Sequence, residues 1–136
     1  MNLKLILGLS MFGLFMAVGT VFFIPSNVEP FCWLAIFLIC AYLVAKNAPG
    51  KYFLHGFLTS LVNCVWVTGA HILLFTQYAA NHVQEIEMSN NMGFLQGHPR
   101  KLMLIMGPLI GIVSGLVLGL FCFIAGKIMK KKPATA

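Results

Sequence analysis

Long apolar runs, cut by short breaks rich in proline, glycine, asparagine and charge, dominate this chain and constrain its fold more than anything else. A membrane-spanning helix needs about 20 apolar residues, with roughly 17–25 as the usual range. Four runs meet or approach that length, and we read spans at approximately 3–24, 29–46, 52–80 and 102–126. Pro25-Ser-Asn-Val-Glu-Pro30 ends the first, Lys46-Asn-Ala-Pro-Gly-Lys51 ends the second, and the polar stretch 81–101 separates the third from the fourth. The second run is short, and its helix borrows residues from its flanks or the bilayer thins around it.

Composition leaves few alternatives. The chain has 136 residues, 60% of them hydrophobic and 9% charged. A soluble domain of that size cannot hide so much apolar surface. Disorder is excluded for the same reason. Nucleic-acid binding is excluded despite a net charge of +6, because the basic residues sit at the ends of apolar runs and not on a polar face. The expected fold is an all-α polytopic membrane protein, a four-transmembrane-helix bundle forming a single membrane domain over 1–136.

Basic residues give the expected orientation. With the N-terminus inside, Lys4, Lys46, Lys51, Lys127, Lys130, Lys131 and Lys132 face the cytoplasm, against only Arg100 and Lys101 outside. Both termini are therefore expected inside a cell membrane, with 81–101 as an outer loop and 127–136 as a basic cytoplasmic tail. The first run continues apolar through Val21, Phe22, Phe23 and Ile24, beyond a possible cleavage site at Ala17-Val-Gly19, and reads as a retained helix.

The clearest motif is in the fourth run, where Gly107, Gly111, Gly115 and Gly119 recur every fourth residue. Four residues advance about 400°, so the stripe stays on one face of a helix. Between helices in lipid, close backbone approach decides association, and a glycine stripe permits it. The facing helix is expected either inside the bundle, with Gly8, Gly13, Ala17 and Gly19 of the first run as a candidate seam, or in a second copy or another membrane protein. Pro108 removes one backbone hydrogen bond and is expected to shape that helix.

The third run is the polar one. Thr59, Asn63 and His71 are the candidate lining of a small polar cavity, and interhelical hydrogen bonding is the plainer role for the same side chains. His55 is expected at the inner interface, in solvent. The loop holds His82, Met88, Met92 and His98, a weak soft-metal set in which Met88 and Met92 share a face if helical.

No carboxylate lies within the apolar length of a span, where a proton-coupled exporter of the small multidrug type requires one. No CxxC serves a thiol oxidase, and Cys32, Cys40, Cys64 and Cys122 read as small packing residues. His55 and His71 lie about 24 Å apart along one helix and cannot share a haem iron. No cofactor is called for and no catalytic constellation appears. The first functional expectation is an accessory or structural membrane protein acting through helix association. An oligomeric pore or carrier for a small solute is the alternative, and a loop metal-binding protein or membrane enzyme is the second.

Overall fold

The computed structural model describes residues 1–130, so Lys131 and Lys132 of the basic tail lie outside the described residues. The described chain is helical: α1 Leu3–Phe22, α2 Glu29–Asn47, α3 Tyr52–Leu73, α4 Phe75–Asn81, α5 Val83–Asn91 and α6 Pro99–Lys130, with one 3₁₀ turn at Gly93–Leu95. Four of these helices, α1, α2, α3 and α6, are long and apolar enough to cross a membrane. They alternate in direction, so one end of the bundle carries both described termini with Lys46 and Lys51, and the far end carries α4 and α5. The helix of the fourth run is longer than expected, and its 32 residues rise about 48 Å, well beyond the roughly 30 Å of a hydrocarbon core.

The outward faces are apolar. Leu7, Phe15 and Phe22 of α1, Leu34, Leu38 and Ile39 of α2, and Leu109, Ile112, Val113 and Leu116 of α6 are exposed. In water such a surface would be a severe liability.

The helix expected over 52–80 is interrupted. It ends at Leu73, where Leu74 takes φ −103° and ψ 34°, and the chain restarts as α4. No proline or glycine marks this break. Tertiary contacts set it: Asn81 Nδ2 donates to the Val21 carbonyl at 2.7 Å, tying α4 to the end of α1. By Leu73 the 22 residues of α3 already rise about 33 Å, enough for a span.

Helix α3 is central. It packs most extensively on α6 and next on α1, whereas α2 packs mainly on α6 and meets α3 and α1 only lightly. At the termini end, Leu9, Cys40, Ala41, Val44, Ala48, Leu118 and Cys122 form a buried cluster that joins α1, α2 and α6. His55 belongs to this closed end and is not solvated, being only 1% exposed. Its Nε2 accepts from the Asn2 backbone N–H at 3.0 Å, which leaves Nδ1–H to donate to the Lys51 carbonyl, also at 3.0 Å. Asn2 in turn caps α1, its Oδ1 accepting from the Leu5 N–H at 3.1 Å. The histidine thus stitches the start of α1 to the start of α3.

Candidate functional site

The glycines of α6 face α3. A Cβ built on Gly111 would lie 2.7 Å from Cys64 Cβ, one on Gly115 would lie 2.9 Å from the Phe57 ring, and one on Gly119 would lie 2.9 Å from the Phe53 ring. Gly107 sits under Thr68. The closest backbone approach on this seam is made by Gly56 of α3, where an added Cβ would stand 2.7 Å from the Leu118 carbonyl oxygen and 2.9 Å from Gly119 Cα. Sequence reasoning passed over Gly56 because it is isolated on its own helix. The close seam lets α3 side chains reach the α6 backbone. Cys64 Sγ donates to the Gly107 carbonyl at 2.9 Å, and Ser60 Oγ reaches the Gly111 carbonyl at 3.4 Å and Ser114 Oγ at 2.9 Å.

The α1 face of α3 meets a different glycine, Gly13, over which the Asn63 side chain lies. Gly8 has open space around it, and Gly19 meets only Ile24. The glycines of α1 and those of α6 therefore do not share a seam, since α3 stands between them. Trp66 Nε1 donates to Ser10 Oγ at 3.3 Å on this same side, which gives an indole placed at mid-span a polar partner.

Toward the far end α2 stands off α3, and a cavity of about 490 Å³ opens between α2, α3 and α6. Ser60, Asn63, Cys64, Thr68 and His71 of α3 line it, together with Gly107, Gly111 and Ser114 of α6. Trp33 and Phe37 of α2 and Val67 and Ile110 supply apolar wall, and Glu29 and Tyr78 stand at the far end. Small side chains on α6 are thus used twice, to seat α3 and to leave room beside it.

Of the sequence candidates, Asn63 and His71 line this space and Thr59 does not. Thr59 is fully buried lower on α3, where its hydroxyl donates to the His55 carbonyl at 2.7 Å. Asn63 is 3% exposed, and neither its Nδ2 nor its Oδ1 has a hydrogen-bond partner among the described residues. A buried unpaired amide costs about 1–3 kcal/mol, so this one is an expensive residue for a purely packing role. His71 Nε2 lies 2.8 Å from Thr20 Oγ1. The single Thr20 proton goes to the Met16 carbonyl at 2.9 Å, so His71 Nε2–H is the donor and its Nδ1 is left as an acceptor.

Glu29 is placed by the sequence at the start of the second span, on the outer side, and is given no role in a site. It is the first residue of α2, where a carboxylate suits the helix N-terminus. Its Oε1 accepts from Trp33 Nε1 one turn on, at 3.1 Å. The clue available in the sequence was the spacing of Glu29 and Trp33 just after a helix-starting break. Tyr78 is buried and stacks between two histidine rings, with centroids 4.1 Å from His71 and 4.3 Å from His82. Burial first, and then the carboxylates of Glu85 and Glu29, push its phenol up to about 12.

The loop candidates are dispersed in environment. His82 is buried, with Nδ1 3.2 Å from the Tyr78 carbonyl, while Met88, Met92 and His98 are exposed. Among the described residues no three His, Cys, Asp or Glu side chains form a metal-sized group. All four cysteines are free, and Cys40 and Cys122 are fully buried.

No protein-family model matches this chain, and neither the curated proteins nor the solved structures include one similar to it, so function has to be argued from the site itself.

Proposed function

We propose that this chain is an integral protein of a cell membrane, with both termini on the cytoplasmic side, and that its bundle holds a binding cavity for a small solute, opening toward the outside. The observation that carries this reading is the cavity between α2, α3 and α6, which brings Ser60, Thr68, His71, Ser114 and Glu29 to one space inside a largely apolar body. Its volume falls in the range of about 300–1,000 Å³ that holds small molecules. Polar side chains in a membrane bundle face its interior and mark solute paths more often than chance placement would allow. The glycine stripe supports a different part of the picture. It forms a zipper-like seam with α3 and is covered within the chain. An accessory role that docks a partner on that stripe has no free stripe to use, and a carrier or receptor-like role draws on the cavity directly.

Placement in the membrane is testable by accessibility. A reporter or thiol label at Lys51 is expected on the cytoplasmic side and one at Asn90 on the outer side, following the basic bias of the ends. A label at Lys51 reached only from outside would invert the map.

The cavity is testable through Cys64, which lines it. In a Cys32→Ala protein, Cys64 should react with the small, neutral, water-soluble reagent 2-hydroxyethyl methanethiosulfonate added from the outer side. Cys40 and Cys122, fully buried, serve as internal references. Reaction of Cys64 no faster than theirs would remove the cavity.

Asn63 gives an independent check. Asn63→Leu is expected to leave stability unchanged or raise it by about 1 kcal/mol, because it deletes an unpaired buried amide. The same change should slow labelling of Cys64, one residue along the wall. A loss of more than about 1 kcal/mol would instead assign Asn63 to interhelical bonding.

A further inference from the structure

The geometry points to an organic cation with an apolar body as the class of ligand for this cavity, an inference that rests on the binding role proposed above. Charge comes first. Among the described residues Glu29 is the one carboxylate that lines the space, and no lysine or arginine lines it. A site with a net negative wall and apolar surroundings favours a cation and disfavours an anion strongly, since the low dielectric amplifies both effects.

The aromatic groups come second. Trp33 hydrogen-bonds Glu29, so an indole and a carboxylate stand side by side at one position. Phe37 meets Trp33 edge-on with centroids 6.2 Å apart, while His71 and His82 cover both faces of Tyr78, so the indole and the phenyl ring are the aromatic groups left to a ligand. Indole and phenyl faces attract ammonium groups, and tryptophan does so best. Desolvation at such a site raises the gain to about 2 kcal/mol or more.

Size and oxygen count then separate organic from inorganic cations. A bare calcium ion wants six to eight oxygen ligands, and magnesium a near-ideal octahedron. One carboxylate and scattered hydroxyls do not supply that shell. A weakly hydrated ammonium needs no such shell. Its hydrophobic body has Phe37, Val67 and Ile110 to rest on, and a hydrogen-bonding substituent has Ser60, Ser114 and His71 within the same walls.

The test uses benzyltrimethylammonium as probe and its uncharged isostere 2,2-dimethylpropylbenzene as comparison. The protein is the full chain with Cys32→Ala, in lipid nanodiscs, and the readout is the rate of Cys64 labelling by 2-hydroxyethyl methanethiosulfonate. Benzyltrimethylammonium is expected to protect Cys64 saturably. The isostere should protect at least about tenfold less well at equal free concentration. Glu29→Gln keeps an oxygen for the Trp33 N–H and removes only the charge, and it should raise the half-protecting concentration of the cation about tenfold. Labelling that the cation does not slow, or protection that is equal for the isostere and unchanged in Glu29→Gln, overturns the cation assignment and leaves the cavity standing. A Cys64 that never reacts overturns both.

Discussion

Replacing Gly56 with leucine is expected to abolish recovery of the folded protein. At this position an added side chain meets Cys122 Sγ and also the Leu118 carbonyl and Gly119 Cα, and the last two are backbone and cannot rotate away. Alanine alone should cost about 1–3 kcal/mol by overpacking, set against about 1 kcal/mol gained from helix propensity. Leucine adds three more carbons to the same gap and would push α3 off α6 along the whole seam. Gly111→Leu and Gly115→Leu should act in the same direction through Cys64 and Phe57. Two controls bracket the claim. Gly8→Leu enters open space, and Val117→Leu enlarges an exposed side chain, so both should be tolerated. The measurement is the monodisperse yield and thermal midpoint of each variant in one detergent.

A compensating pair sharpens that result. Gly111→Ala is expected to destabilise because its Cβ would lie 2.7 Å from Cys64 Cβ and 2.8 Å from its sulfur. Cys64→Gly empties that space, and the double variant should recover part of the loss, a coupling of about 0.5–3 kcal/mol for residues in direct contact. Additive losses, or a Gly111→Leu protein that folds as a stable monomer and only loses an oligomer, would place the stripe on an external face.

What the sequence made legible follows from how strong each constraint is. Span positions were readable because hydrocarbon thickness fixes run length, and breakers such as Pro25, Pro30, Pro49 and Gly50 sit between the runs. The stripe of α6 was readable because a period of four keeps Gly107 and Gly119 on one face. Its partner was not, since a smooth face carries no information about which helix fills it. Gly13 is readable as part of a small-residue seam on α1 but not as the seat of Asn63, and Gly56, with no glycine in register on its helix, gives no pattern at all, yet each marks a close approach. A helical wheel groups Thr59 with Asn63, but it cannot show that Thr59 spends its proton on its own helix. Glu29 opens the second span in the sequence as it opens α2, but nothing in the sequence shows that it lines a cavity. The bend at Leu74 has no local cause at all, and only the packing of Tyr78 and Asn81 explains it.

The same packing makes Tyr78 the pin of the far end, and Tyr78→Ala is expected to release α4 and α5 while the four long helices stay folded. Helix α5 buries no residue, and Tyr78 is the one buried residue of α4. With His82 at the junction, these rings are the main apolar anchor of the segment. Tyr78 stacks on both His71 and His82, so its loss removes two aromatic contacts of about 0.5–1.5 kcal/mol each together with the burial of the ring. Removing a buried aromatic ring typically costs about 3–5 kcal/mol. A seven-residue helix cannot hold itself against a loss of that size, because short helices are marginal without tertiary packing. Hydrogen exchange should therefore rise across 75–91 and stay unchanged in α1 and α6. Tyr78→Phe keeps the stack and should keep the protection. Because Tyr78 also lines the cavity, Tyr78→Ala should speed labelling of Cys64 from the same side. Uniform exchange across the whole bundle would mean that α4 belongs to the global folding unit, and exchange identical to the parent would mean that Asn81 on Val21 holds the segment without the ring.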